Sequence, residues 1–372
     1  MTDTPPLKEL FGLPLAHTLA ARIGAVYPAF PAEPFLRRLE EALPPLALKQ
    51  RVGAIAAALQ WSLPDAYHEA VAVIVAALGP APEEGVTMFE DTWYAWPLAT
   101  FVELYGLDHP DVSLVALHAI TQRSTAEFAI RPYIVRYPDL TMRTLQAWAG
   151  DASFHVRRLV SEGTRPRLPW APRLPAFVAD PTPVLALIER LRDDPSAYVR
   201  RSVANNLNDI AKDHPERVVT TAQRWMEGAS VERERLIRHA LRTLVKQGHP
   251  AALALIGASQ GATVALETLS VTPERLPIGA SVQITAALRS TAATPQHLVI
   301  DYVMYFAGAN GAPRRKVFKL RTVDLAPGET LGLQWSHSFR QLTTRRHYPG
   351  RQGIALQVNG VIVGEAETWL EK

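Results

Sequence analysis

An internal repeat limits what this chain can fold into more than any other feature. Asp151 opens DASFHVRRLV, and 43 residues later Asp194 opens DPSAYVRRSVANNL, so the pattern D-x-S-x-x-V-R-R occurs twice. A looser copy, SVERERLIRHAL, aligns Arg238 with Arg200 at a 38-residue interval, and HPDVSLVALHAI from His109 resembles a copy without its arginines. One such unit cannot bury its apolar face alone. Stacked units can, and a period near 40 with two helices per unit predicts an α-solenoid.

The repeat does not run to the end of the chain. Residues 1–90 read as helices joined by proline-containing turns, such as PFLRRLEEAL and LKQRVGAIAAALQWSL, and form an amino-terminal helical cap. The repeats follow from about residue 97, with Asp and Arg flanking a Val at the start of the second helix, as in HEAT repeats. At GASQG, 257–261, the pattern changes from helical to alternating. Beyond it, TVALETLSV, SVQITAALRS, HLVIDYVMYFAG, KVFKLRTVDL, LGLQWSHSF and GIALQVNGVIVGEAE are separated by PIG, GANGAP, APGE and NG turns. About seven strands in ~110 residues is the size of an immunoglobulin-like sandwich. The expected fold is therefore multidomain, α plus all-β: a HEAT-like solenoid over 1–258, then an immunoglobulin-like β-sandwich over 263–372.

Charge is distributed unevenly along this plan. Residues 1–130 carry 7 Lys and Arg against 15 Asp and Glu, whereas residues 131–258 carry 20 against 13. The acidic cap, apart from FGLPLAHTLAARI near its start, is therefore not expected to touch phosphates. Between Arg131 and Arg173 there are eight arginines and no lysine, and arginine forks suit bidentate contacts with a polyanion. Arg123, Arg157, Arg158, Arg165, Arg167, Arg200, Arg201 and Arg238 are the candidates in the helical part. Arg314 and Arg315, in PRRK, and Arg345 and Arg346, in RQLTTRRHYPGR, put basic loops on the sandwich.

Several chemistries find no support in the sequence. There is no cysteine, so disulfides, thiolate metal sites and a cysteine nucleophile are excluded, and a cytoplasmic location fits. The eleven histidines show no ligand spacing, so no metal or other cofactor is expected. GxSxG, Walker and GxGxxG motifs are missing, as are a signal peptide and any long uncharged apolar run that could span a membrane. Acid chemistry in a basic, aromatic-bearing groove remains. The stretch WAGDASFHVRRLVSEGTRPRLPW, 148–170, predicts a helix capped by Asp151 or Ser153 and ended by Gly163 in a left-handed C′ position. It sets Glu162 among Arg158, Arg165, Arg167 and Trp170. One repeat earlier, TQRSTAEFAIRPY sets Glu127 and Phe128 between Arg123 and Arg131. Either carboxylate could be catalytic or could be a structural ion pair.

The strings STAEFAIRP, WxxDxxFHVRRLxSEGTRPRLPW and VRRSVANNLNDIAK, with the all-β appendage, resemble the AlkC branch of the AlkD-related, HEAT-repeat DNA glycosylases over nearly the whole chain. The resemblance implies excision of cationic alkylated bases from double-stranded DNA: 3-methylcytosine, 1-methyladenine and also 3-methyladenine. It implies a reaction without deep base flipping, with the solenoid and the sandwich acting as a clamp. It puts Glu127 forward as catalytic carboxylate with Glu162 second, and Phe128 and Trp170 as aromatic contacts. The AlkD pattern of a catalytic Asp with flanking tryptophans has no clean counterpart here. With no lysine between Lys49 and Lys212, a Schiff-base lyase is not expected, so the enzyme would be a monofunctional hydrolase; a monomer acting at the nucleoid is a separate expectation. Two other readings use the same residues: a non-catalytic HEAT-repeat module for bent or damaged DNA, and a scaffold for acidic protein segments.

Overall fold

The computed structural model describes residues 6–80, 92–342 and 345–372. The first five residues of the amino-terminal stretch, and Thr343 and Thr344 of the basic RQLTTRRHYPGR loop, lie outside the described residues. Two compact units result, Met1–His214 and Pro215–Lys372.

The first unit is helical. After a short 3-10 turn, α1 (Leu13–Val26), α2 (Ala32–Ala42), α3 (Leu48–Ser62), α4 (Tyr67–Ala77), α5 (Ala95–Tyr105) and α6 (Pro110–Thr121) lead to the repeats. There follow α7 (Arg131–Arg136), α8 (Pro138–Trp148), α9 (Phe154–Gly163), α10 (Pro175–Ala179), α11 (Thr182–Glu189) and α12 (Ala197–Ile210). Proline begins α6 and α8, where its missing N–H costs nothing and its fixed φ suits the first turn.

The repeated motif has the same structure in both copies. Asp151 Oδ1 accepts the Ser153 N–H at 2.8 Å, and Asp194 Oδ1 accepts the Ser196 N–H at 2.9 Å, so each Asp forms an Asx turn that aims the following helix. Ser153 and Ser196 are the N-cap residues, but neither side chain makes a capping hydrogen bond. Val156, Leu159 and Val160 of α9 and Val199, Val203 and Leu207 of α12 are buried, and the two helices pack side by side. The first arginine of each pair turns back on its own loop. Arg157 donates to the Asp151 and Ala152 carbonyls, and Arg200 to those of Asp194 and Pro195.

Gly163 corrects the expected helix end. It lies inside α9, and the C-cap is Thr164 with right-handed φ and ψ. Glycine is needed for packing: a Cβ at this position would sit 2.6 Å from Ile130 Cγ2. The close approach brings α9 against the segment that carries Glu127.

The second unit joins four helices, α13 (Pro215–Met226), α14 (Val231–Ala240), α15 (Arg242–Lys246) and α16 (Pro250–Leu255), to eight strands. These are β1 (Val264–Thr272), β2 (Arg275–Pro277), β3 (Ser281–Ser290), β4 (Gln296–Phe306), β5 (Arg314–Leu325), β6 (Thr330–Ser338), β7 (Gly350–Val358) and β8 (Val361–Glu371). Seven were expected. The extra one, β2, is three residues long and pairs parallel to β8, too short to show an alternating pattern. The sheets run β1-β3-β6 and β2-β8-β7-β4-β5. Alternate residues of β3 are buried with Tyr302, Met304, Phe339 and Ile354 between the sheets. Asn359 and Gly360, both with positive φ, make the tight β7–β8 turn that the NG pair predicts. Among the described residues no helix is long and apolar enough to cross a membrane.

Candidate active site

Two irregular segments of the first unit meet beside α9. One is the turn Ser124–Ile130 between α6 and α7, which holds Glu127 and Phe128. The other, Thr164–Leu174, follows α9 and carries Trp170. Together with Leu7, Trp93, Trp96, Arg158, Glu162 and Arg165 they line a pocket of about 380 Å³. Glu127, Phe128, Glu162 and Trp170, four positions spread over 44 residues of sequence, thus face one cavity.

The two carboxylates differ in what holds them. Glu127 is 9% exposed, and Arg158 Nη1 donates to its Oε2 at 2.5 Å while also donating to Thr125 Oγ1 at 2.7 Å. Its Oε1 has no side-chain partner among the described residues. Burial, opposed by Arg158 and reinforced by the negative charge of Glu162, holds the Glu127 carboxyl above the ordinary carboxylate range. Glu162 is bound at both oxygens. Arg165 Nη1 donates to Oε1 at 2.7 Å, Arg158 Nη2 lies 3.5 Å from the same oxygen, and Ser202 Oγ donates to Oε2 at 2.6 Å. Although burial works to raise it, Arg158, Arg165 and Ser202 together keep the Glu162 carboxyl below the usual range. Arg165 Nε then reaches Asp209 Oδ2 at 2.8 Å, which continues the alternation of charge into the core. Glu162 is thus held by side chains at both oxygens, and Glu127 by a side chain at one; both line the cavity.

The aromatic groups have distinct surroundings. Trp170 is 65% exposed with φ 65°, a left-handed backbone that disfavours any residue but glycine. Phe128 stacks on Trp96 at 5.8 Å between centroids, and Phe11 meets Trp93 and Trp96 edge-on at 5.7 and 5.2 Å. The Arg158 guanidinium lies 5.1 Å from the Tyr198 ring centroid. Trp93 and Trp96 went unnoticed in the sequence, although their W-x-x-W spacing puts two rings on one side of a helical turn.

Lys49 from α3 was also unexpected at the site, because the amino-terminal region around it has an acidic balance overall. Its ammonium hydrogen-bonds the Trp170 carbonyl and lies 4.6 Å from the Phe128 centroid. It lines a neighbouring cavity of about 540 Å³ that shares Trp96 and Phe128 with the first.

The remaining arginines are placed as follows. Arg123 donates to the Gly79 carbonyl at 2.5 Å and to Ala119 O at 2.9 Å. Arg157 makes a two-point contact with Asp194 at 2.6 and 3.0 Å, and Arg167 with Asp213 at 2.7 and 2.5 Å. Arg201 is exposed and has no side-chain partner among the described residues. In the second unit Arg238 donates to Ile256 O at 2.7 Å and Arg315 to Gln357 Oε1 at 3.0 Å. Arg314 is exposed, donating to Arg346 O at 3.2 Å. Arg345 lies 5.0 Å over the Phe306 ring, and Arg346 5.7 Å over Tyr348.

Three similarities complete the description. The family described as "Uncharacterised protein YhaZ, C-terminal Ig-like domain" matches residues 265–372. The uncharacterized protein YhaZ of Bacillus subtilis is 37% identical over 360 residues, 96% of this chain and 97% of its own. A solved structure from Pseudomonas fluorescens, alkylpurine DNA glycosylase AlkC bound to DNA containing an abasic site analog, matches with a TM-score of 0.89 at 37% identity, over 99% of this chain and 100% of that one. With a helical amino-terminal region, an immunoglobulin-like carboxy-terminal domain and full-length similarity to these relatives, this chain belongs to the AlkC branch of the AlkD-related, HEAT-repeat DNA glycosylases.

Proposed function

We propose that this protein is a monofunctional DNA glycosylase that removes cationic N-alkylated bases, namely 3-methylcytosine, 1-methyladenine and 3-methyladenine, from duplex DNA by hydrolysis. The observation that carries the reading is Glu127, a buried carboxylate with one oxygen held by Arg158 and the other without a side-chain partner. Family membership gives the reaction class. The abasic DNA bound by the Pseudomonas relative is of the kind that base release leaves behind.

The chemistry follows from the charge on the substrate. An alkylated base that is already cationic leaves as a neutral molecule when its glycosidic bond breaks, so no general acid is needed. The deoxyribose becomes positive at C1′ as the bond stretches. A carboxylate short of compensation gains most from a cation developing beside it, which is stabilisation specific to the transition state. Water then adds to C1′, and Glu127 accepts its proton before releasing it to solvent. Trp170 and Phe128 add cation–π contacts worth ~0.5–2 kcal/mol each. Hydrolysis is favoured over lyase chemistry because no lysine among the described residues lines the 380 Å³ pocket.

In this reading residues 1–258 form the glycosylase domain and residues 263–372 hold DNA, with the protein acting as a monomer. Arg201, Arg314 and Arg346, which are exposed and have no carboxylate partner among the described residues, are the foremost phosphate ligands. The test is single-turnover base release from a duplex carrying one 3-methylcytosine, comparing wild type with Glu127→Gln and Glu162→Gln. Glu127→Gln should bind DNA and release no base. Wild-type protein that binds 3-methylcytosine and 3-methyladenine duplexes but releases neither base would replace the glycosylase with a damage-binding module.

A further inference from the structure

Trp170 occupies a backbone conformation that its own residue type resists, in a loop stiffened by Pro166, Pro169 and Pro172. Something outside the loop has to keep it there. Arg131, 4% exposed, adds three bonds to those the loop makes within itself. Its Nη1 donates to Gly163 O at 2.9 Å and Arg165 O at 2.8 Å, and its Nη2 to Pro172 O at 2.6 Å, so one guanidinium gathers three carbonyls from the two ends of the loop. Arg131 is also the first residue of α7, four positions after Glu127. The group that ties down the Trp170 loop is therefore covalently continuous with the turn carrying the candidate catalytic carboxylate.

Lys49 closes the remaining side. It comes from the amino-terminal region, and its ammonium bonds the carbonyl of Trp170 itself while facing the Phe128 ring. Neither cation lines the 380 Å³ pocket, so neither is placed to touch a substrate held there. Both act on the residues that do line it.

We propose that Arg131 and Lys49 are positioning residues that fix Trp170 against the Glu127 turn, so that the exposed indole is pre-set for the cationic nucleotide. This rests on the glycosylase reading given above. The pairing makes the amino-terminal helices part of the active-site machinery, through α3, and gives the arginine of the STAEFAIRP string a task distinct from DNA binding.

The test compares Lys49→Met, Arg131→Lys and Trp170→Ala, singly and as the two pairs with Trp170→Ala, in single-turnover base release from a 3-methylcytosine duplex. Lys49 is on the surface, so its variant folds even if that of Arg131 does not. Lys49→Met should slow release about fivefold and Arg131→Lys tenfold or more, values set by the loss of hydrogen bonds from charged donors, with DNA affinity changed less than twofold. In the Trp170→Ala background either substitution should add almost nothing, because the ring they position is gone. Slowing that multiplies with that of Trp170→Ala, or Lys49→Met protein as fast as wild type, would overturn the proposal. Wild-type protein that releases no base would instead overturn the glycosylase reading. A second readout then still judges the positioning claim: the near-ultraviolet circular dichroism of Trp170, obtained by subtracting the spectrum of each protein's Trp170→Phe counterpart. Loss of that signal in Lys49→Met supports the claim, and an unchanged signal refutes it.

Discussion

Helices α9 and α12 begin with the same motif and end up with different tasks. In both, the Asx turn and the contacts of the first arginine with its own loop are equivalent, although Arg157 alone adds an ion pair with Asp194. The second arginine is not. Arg158 lies buried between Glu127 and Glu162, whereas Arg201, its counterpart 43 residues on, is exposed. The positions that differ between the copies explain why. Ser202 replaces Leu159 and donates to Glu162, and Asn206 replaces Gly163 and donates to Ser161 O at 2.7 Å and Thr164 Oγ1 at 3.2 Å. Tyr198 replaces His155 and lies under Arg158. The second copy is therefore the supporting wall of the first, and the motif itself specifies only the scaffold.

The largest expected effect falls on the pair of second arginines. Arg158→Met leaves two buried carboxylates without their shared partner and should cost about 3–5 kcal/mol in urea unfolding, while Arg201→Met should stay within about 0.5 kcal/mol of wild type. Equal losses at the two positions would erase the distinction between site and scaffold. Next is Glu127→Gln, expected to reduce base release roughly 100–1000-fold with binding retained. Because burial raises the Glu127 carboxyl and the reaction needs it ionised, wild-type activity should fall on acidification at a pH above the ordinary carboxylate range. A pH–rate profile with no such limb, or one equally present in Glu127→Gln, would move the role elsewhere.

Smaller effects probe the packing between the copies. Gly163→Ala should cost about 1–3 kcal/mol, because its Cβ meets Ile130, and should shift the Glu127 turn enough to slow base release. Asn206→Ala, at the equivalent position, loses hydrogen bonds but meets no clash, and about 1 kcal/mol is expected by the same unfolding measurement. The smallest effect is that of Arg201→Ala. Folding should be unchanged, and the dependence of DNA affinity on salt should weaken by about one unit of slope in a titration series, the signature of one lost phosphate contact.

Much of this molecule could be read before any coordinates. The period of the D-x-S-x-x-V-R-R motif, the switch to alternation after GASQG and the NG turn are local patterns, and local patterns record backbone preference and apolar periodicity directly. Glu127, Phe128, Glu162 and Trp170 were legible as candidates because each stands among arginines in an unusual string. Trp93, Trp96 and Lys49 were not, since they come from a segment whose net charge argues against a role and whose nearness to Trp170 arises only from folding. Gly163 was misread for a related reason. A glycine after an apolar stripe looks like a helix end, and only the side chain across from it, Ile130, shows that the space was needed.

The sequence by itself determined the element types, the repeat and the charged, aromatic character of the site, all of which depend on neighbours within a few positions. The tertiary structure alone decided which of two similar carboxylates is under-compensated. That difference depends on how many side-chain donors converge in space: Arg158 alone on Glu127, against Arg158, Arg165 and Ser202 around Glu162. Desolvation and Coulomb interaction are set by distance in space, and separation along the chain does not carry that information.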